Sequence, residues 1–285
     1  MTTARLLLMD DAGAFADADP AAAHLTVTDL GVVRGDGCFE TISVRGGRPQ
    51  ALEAHLTRFA RSARMLELPE PVADHWRAGV LQAAASSDPG AELALRTVLT
   101  RGREGSGIPT GWIHVTAAAD YSAVRRDGVD AVLLDRGYRH DVGQTSPWLL
   151  QGAKTLSYAV NMAALREAER RGAGDVVFVS SDGFVLEGPT STVVVHDGSG
   201  VRTPPVEHAI LPGTTQDAMF RWCEQRGLPV SHTALRPDDL LAASTVWLLS
   251  SVRQAVAVRS LDGEPLHPDA ALTADLNKHL LGRRE

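Results

Sequence analysis

Two stretches of this 285-residue chain carry residue types that suggest chemistry. One is Gln151-Gly152-Ala153-Lys154-Thr155-Leu156, a lysine reached through small residues. The other is Gly183-Phe184-Val185-Leu186-Glu187-Gly188, where a glutamate follows a turn and a strand-like run. A primary amine attacks a carbonyl only when it is at least partly neutral, and partial desolvation of a lysine lowers its pKa enough for that. Once displaced, the same amine is a general base close to the reacting carbon. Most lysines are simply solvated, so the weight of Lys154 depends on what accompanies it.

Three arginines and one helix start stand out as candidate anion-binding groups. Arg58 lies at the edge of an apolar helical stripe, one residue from Phe59, where it could reach inward to an anion, whereas Arg61 and Arg64 lie further round and read as solvated. Arg101 and Arg103 share the glycine-rich loop Arg101-Gly102-Arg103-Glu104-Gly105-Ser106-Gly107. A guanidinium fork matches a carboxylate bidentately, so this pair is a candidate clamp. Leu211-Pro212-Gly213-Thr214-Thr215 opens a helix, and backbone N–H groups with hydroxyls at such an end favour an anion. A plain N-cap by Thr214 is the simpler reading of the same residues, and the two are compatible. Gly35-Asp36-Gly37-Cys38-Phe39-Glu40-Thr41 fits neither a dinucleotide nor a P-loop template and reads as a tight turn entering a strand.

Composition narrows the partners. With 28 Lys and Arg against 35 Asp and Glu the net charge is −7, and no basic run appears, so neither nucleic acid nor an anionic membrane is expected as a partner. The apolar run Leu6 to Met9 is too short for a signal peptide or a membrane span. Cys38 and Cys223 form no framework or redox pair, which makes a cytoplasmic location the expectation. The ten histidines fall at no metal-ligand spacing, so no metal is expected.

These groups need elements to position them. Residues 25–45 read as strand, turn, strand, with Phe39 to Val44 alternating apolar and polar and Gly46-Gly47 as the following hairpin turn. Leu52, Leu56, Phe59, Ala63 and Leu66 mark an amphipathic helix ended by Pro69 and Pro71. A second helix from Val72 to about Ser86 follows, then strands Leu93–Leu99 and Trp112–Ala117. Small and polar residues from Ala118 to Arg126 suggest a linker, giving an N-terminal α+β domain of residues 1–117 and a C-terminal domain of residues 127–285. In the second half, Val129–Leu134, Val176–Val179, Val193–Val195, Val246–Leu249 and Val256–Val258 read as strands. Between and after them come a helix Val160–Arg171 with Met162, Leu165 and Ala168 on one face, a helix from Thr215 to Arg226, and a last helix ending near Leu281. Gly137 to Pro147 reads as a loop, and Arg283-Arg284-Glu285 as a solvated end.

Seven short motifs occur in one order: Gly35-Asp36-Gly37-x-Phe39-Glu40-Thr41, His55-x-x-Arg58, Thr100-Arg101-Gly102, Ala153-Lys154, Gly183-Phe184-x-x-Glu187, Thr203-Pro204-Pro205 and Leu211-Pro212-Gly213-x-Thr215. Together they resemble the class IV, fold-type IV pyridoxal-phosphate enzymes, which include the branched-chain and D-amino-acid aminotransferases and 4-amino-4-deoxychorismate lyase. The resemblance spans nearly the whole chain. It implies an α+β fold of two α/β domains with mixed, largely antiparallel sheets, pyridoxal 5'-phosphate between them, and a homodimer. It implies that Lys154 holds the cofactor covalently and later moves protons, and that Glu187 pairs with its pyridine nitrogen. Arg58 would hold the phosphate with Thr214 and Thr215, and Ser250 and Ser251 align roughly with a hydroxyl-bearing phosphate contact. Arg101 would contact a substrate carboxylate, and Phe39 would face the substrate pocket, whereas Arg103 is a candidate second cation from its loop alone, with surface exposure the simpler reading.

Two positions depart from the branched-chain members. Their tyrosine five residues beyond the lysine is Ala159 here, with Tyr158 one position early, and their usual asparagine after the glutamate motif is replaced near Thr192. The runs Ala153 to Leu165 and Gly174 to Val195 are similar to an actinobacterial subgroup assigned as the lyase, with side transaminase activity. The resemblance therefore implies a carbon–oxygen lyase acting on aminodeoxychorismate, and alternatively an aminotransferase for D-amino or branched-chain amino acids. A substrate with two carboxylates wants more than one cation, and Arg139 and His140 are remote candidates beside Arg101 and Arg103.

Overall fold

A computed structural model describes residues 4–85 and 91–283 of the chain. The expected helix end at Ser86 and the terminal Arg284-Glu285 lie outside the described residues. Two compact units result, one of residues 4–119 with Ala153–Tyr158, the other of Asp120–Gly152 with Ala159–Arg283.

The first unit is built on a six-stranded antiparallel sheet. Its strands are β1 (Arg5–Met9), β2 (Phe15–Ala18), β3 (Gly37–Arg45), β4 (Arg48–Pro49), β5 (Glu92–Thr100) and β6 (Thr110–Ala117), in the order β2-β1-β6-β5-β3-β4. The Gly46-Gly47 turn joins β3 to β4, and both glycines have positive φ, which the tight hairpin requires. Helices Leu52–Met65 and Ala73–Ala84 bury Leu56, Phe59, Ala63, Trp76, Val80 and Ala83 with Leu7, Ile42, Leu95 and Ile113 of the sheet. The rings of Phe59 and Trp76 meet edge to face with centroids 4.8 Å apart.

One expectation fails at the start of this unit. Leu30–Arg34 is a short helix, not a strand. Asp29 accepts from the Gly31 N–H as its N-cap, and Gly35 closes it in the left-handed conformation at φ 67°. These local caps outweigh the β-branched pair Val32-Val33.

The second unit holds an eight-stranded mixed sheet. Its strands are β7 (Val129–Asp135), β8 (Asp175–Val179), β9 (Thr192–His196), β10 (Val201–Thr203), β11 (Val230–His232), β12 (Thr245–Ser250), β13 (Gln254–Leu261) and β14 (Glu264–Pro265). The order is β11-β10-β9-β12-β13-β7-β8, with β14 paired to β13. Its interior strands read as unbroken apolar runs because both faces are covered. On one face Val193, Val195, Val246, Leu248, Val256 and Val258 pack with Leu235 and Leu240. On the other, Val194, Trp247, Leu249 and Ala255 pack with Met219 and Trp222 of helix Thr214–Glu224 and Leu276 and Leu280 of helix Ala270–Gly282. Helix Ala159–Arg170 turns Ala164 and Ala168 inward and leaves Met162 exposed, so its buried face is one step round from the expected one. The segment read as a loop from Gly137 to Pro147 contains the single-turn helix Val142–Thr145.

Candidate active site

In the first unit the lysine segment behaves as an added strand. Phe39 N–H donates to the Lys154 carbonyl at 3.1 Å and Leu156 N–H to the Gly37 carbonyl at 2.8 Å, with Cys38 and Thr155 as the bridge pair. Strand alternation then places Lys154 on the same face as Phe39, and the Lys154 Nζ lies 4.5 Å from the Phe39 ring centroid. The Phe39 and Tyr158 rings meet edge to face at 5.6 Å. The Lys154 N–H donates to the Ser62 hydroxyl at 3.0 Å. The approach of Gly35 to the segment is close, since a Cβ there would lie 2.7 Å from the Ser157 Oγ.

Arg58 is buried, and the anion it reaches within this unit is Glu40. Its Nε and one Nη donate to the two Glu40 carboxylate oxygens, each at 2.7 Å, and His55 Nδ1 bonds one of the same oxygens at 2.7 Å. Burial pushes the Glu40 carboxyl upward, but the adjacent guanidinium and the imidazole outweigh it and hold the group well below the usual carboxylate range. An ionised carboxylate accepts only, so His55 carries its proton on Nδ1. Glu40 shares the buried side of β3 with Ile42 and Val44. The alternation of the strand thus puts a polar residue into its apolar face.

Arg101 is held by its own chain. Its Nε donates to Asp36 at 2.6 Å and an Nη to the Leu66 carbonyl at 2.7 Å, and the Asp36 hydrogen bond raises its pKa. Arg103 is exposed, and its backbone bridges Asp29.

In the second unit Glu187 is half-buried beside β8, and its carboxylate accepts from the Leu211 N–H at 3.1 Å. Tyr138 donates to Gln151 at 2.6 Å. Burial raises the Tyr138 pKa, with Arg136 opposing and the charge of Glu187 adding to the rise. Arg136 lies over the Phe178 ring at 4.6 Å and donates to Asn161 at 3.3 Å. Sequence reasoning did not reach Glu40, Ser62, Arg136 or Tyr138 as site neighbours. The one available signal was Glu40 in register with Ile42 and Val44.

Helix Thr214–Glu224 begins without a side-chain cap: Gly213 is its N-cap, and Thr214 lies inside the first turn. The expected Thr214 cap is therefore absent. The Thr215 Oγ1 is buried with no hydrogen-bond partner among the described residues, and a Cβ on Gly213 would fall 2.3 Å from the Thr192 Oγ1. A dipole end, an orphaned hydroxyl and a tight glycine fit a phosphate group. Ser250 ends β12, and the following turn is pinned where Arg125 donates to the Val252 and Arg253 carbonyls at 2.9 and 3.0 Å. Arg139 is exposed and pairs with Asp141 and Asp182, and His140 Nδ1 bonds Asp182 at 2.6 Å.

Residues 37–261 match the model of the amino-transferase class IV family. The chain is 47% identical over 272 residues to the bifunctional aminodeoxychorismate lyase / D-amino acid transaminase of Mycobacterium tuberculosis, covering 90% of this chain and 93% of that protein. A fold IV transaminase from Curtobacterium pusillum, CpuTA1, superposes with TM-score 0.95 at 53% identity, with 98% of each chain covered. A hypothetical aminotransferase from M. tuberculosis in its PLP-bound form superposes with TM-score 0.91 at 44% identity, covering 98% of this chain and 99% of that one. The chain belongs to the class IV aminotransferase family. It has that family's α+β fold, and its cofactor is pyridoxal phosphate.

Proposed function

We propose that the protein is a 4-amino-4-deoxychorismate lyase, releasing pyruvate and p-aminobenzoate for folate synthesis, with D-amino-acid transamination as a second activity. The observation that carries this reading is the 47% identity, over nine-tenths of the chain, to a relative bearing both activities in its name. Among the described residues no helix is long and apolar enough to cross a membrane, and both cysteines are unpaired and buried. These features support work in the cytoplasm. Exposed Trp148, Val160 and Met162 supply apolar surface for a second copy of the chain, which supports a homodimer.

Bound pyridoxal phosphate supplies an electron sink for breaking bonds at the carbon next to the amine. The chain supplies the rest. Lys154 Nζ would hold the cofactor and take a proton from the substrate ring carbon in the lyase, or from the α-carbon in transamination. The Phe39 ring, its centroid 4.5 Å from the Nζ, packs against the amine and forms one wall beside it. Glu187 would keep the pyridine nitrogen protonated, and its own orientation is fixed by the Leu211 N–H. Arg58, Thr214, Thr215 and Ser250 would hold the phosphate. Arg101, set by Asp36, and Arg103 would meet substrate carboxylates.

The test is p-aminobenzoate formation from aminodeoxychorismate, run beside D-alanine and branched-chain transamination on the same preparation. Fast p-aminobenzoate release with weaker D-alanine turnover is expected. Brisk keto-acid exchange without p-aminobenzoate would make the protein an aminotransferase only. Lys154→Ala is expected to lower both activities by roughly 10²–10⁴-fold and abolish the cofactor's visible absorption band, and full activity in that variant would reject the assignment.

A further inference from the structure

We propose that Glu40 is a positioning residue for phosphate recognition, fixing the plane of the Arg58 guanidinium from inside the first unit. This rests on the reading of Arg58 as a phosphate-holding group. Glu40 and His55 are fully buried and Arg58 is 7% exposed. The carboxylate takes one edge of the guanidinium fork through two bonds of 2.7 Å. A bidentate pair of this kind fixes both position and plane, where a single hydrogen bond leaves rotation. His55 supplies a third bond of 2.7 Å to the same carboxylate, so the element that orients Arg58 is itself oriented.

A purely structural purpose explains the cluster poorly. Burying ions costs desolvation that their attraction barely returns, and well-packed apolar residues serve a core as well or better. The apolar alternative fits this chain, because the neighbours of Glu40 on the same strand face are Ile42 and Val44. The helix Leu52–Met65 carries the same logic further. His55, Arg58 and Ser62 are buried on it beside its apolar stripe, and Ser62 accepts from the Lys154 N–H. One helix therefore carries both the arginine held by Glu40 and the hydroxyl that holds the lysine segment.

A phosphate-dependent role separates from a structural one by comparing two ligands. The full-length chain stripped of cofactor is titrated with pyridoxal phosphate and with pyridoxal, which lacks the phosphate, following the visible absorption of the bound aldehyde. Glu40→Gln, which keeps shape but removes the charge, is expected to raise the Kd for pyridoxal phosphate about tenfold or more and that for pyridoxal less than about twofold. Glu40→Asp keeps the charge at a shorter reach and is expected to fall between wild type and Glu40→Gln, so it carries the same comparison if Glu40→Gln does not fold. Equal loss for both ligands, or no loss for either, would overturn the positioning role. Arg58→Gln in the same titration separates the two readings. If it leaves the preference for pyridoxal phosphate intact, the phosphate role of Arg58 fails and this inference with it. If it erases the preference while Glu40→Gln keeps it, only the inference on Glu40 fails.

Discussion

At the scale of single residues the chemistry rests on charge held where it is wanted. Glu187 offers a carboxylate whose one oxygen is occupied by the Leu211 N–H, and its charge is felt by the neighbouring Tyr138 hydroxyl. Glu187→Gln retains size and hydrogen bonding but loses the charge. It is expected to leave cofactor binding near wild type and to lower kcat roughly 10²-fold, as measured by steady-state kinetics beside a binding titration. An unchanged rate would remove the electronic role. His208 makes a different use of burial. It is 7% exposed with Nδ1 unpartnered among the described residues, its ring centroid 4.7 Å from that of His140. Burial first and His140 second depress its pKa, against the charges of Asp182 and Glu207. A histidine whose folded pKa is depressed stabilises the fold above its unfolded pKa, and that contribution fades as the pH falls below about 6.5. The melting temperature should therefore decline from about pH 7.5 to 5.5 less steeply in His208→Gln than in wild type. Parallel declines would show that another group carries the effect.

At the scale of elements, the Arg101 loop depends on backbone that only glycine provides. Gly102 has φ +84°, and a Cβ there would lie 1.8 Å from the Ile108 carbonyl oxygen. Gly105, in the same loop, has φ +76°, and a Cβ there would meet nothing within 4 Å among the described residues beyond its chain neighbours. Gly105→Ala should cost about 1 kcal/mol from strain alone, and Gly102→Ala more than about 1–3 kcal/mol because backbone must also move. Urea midpoints of the two variants test this, and equal midpoints would mean the loop relaxes freely. What the sequence makes legible here is local. The 3- and 4-residue steps of Leu52, Leu56, Phe59 and Ala63 place the helix and set Arg58 at its inward edge, and Gly46-Gly47 places the hairpin. Non-local partners were not legible. Asp36 as the anchor of Arg101, and Glu40 as the partner of Arg58, arise from pairings across β3, β5 and helix Leu52–Met65 that no window of sequence contains. Met162 shows the same limit. An apolar residue on a helix marks a face, but which face meets the sheet is decided by the sheet.

At the scale of the whole molecule, apolar cores cover both faces of the larger sheet in the second unit. Buried polar atoms at its helix start break that pattern. The Thr215 Oγ1 and the Gln216 Nε2 are shielded from solvent without a partner among the described residues, and each such atom costs about 1–3 kcal/mol relative to a satisfied one. A phosphate at this helix end would restore the missing acceptor for the hydroxyl, and only the folded chain assembles that end. Cofactor binding and folding are then linked. Removing pyridoxal phosphate should lower the free energy of unfolding by about 2.7 kcal/mol relative to a sample at 100 times its Kd. Thr215→Val, which replaces the orphaned hydroxyl with a methyl of similar size, should be neutral or slightly stabilising without cofactor and should reduce the gain on adding it. Paired thermal melts of both proteins, with and without pyridoxal phosphate, measure this. An undiminished gain in Thr215→Val would place the phosphate elsewhere than the Gly213-Thr214-Thr215 turn.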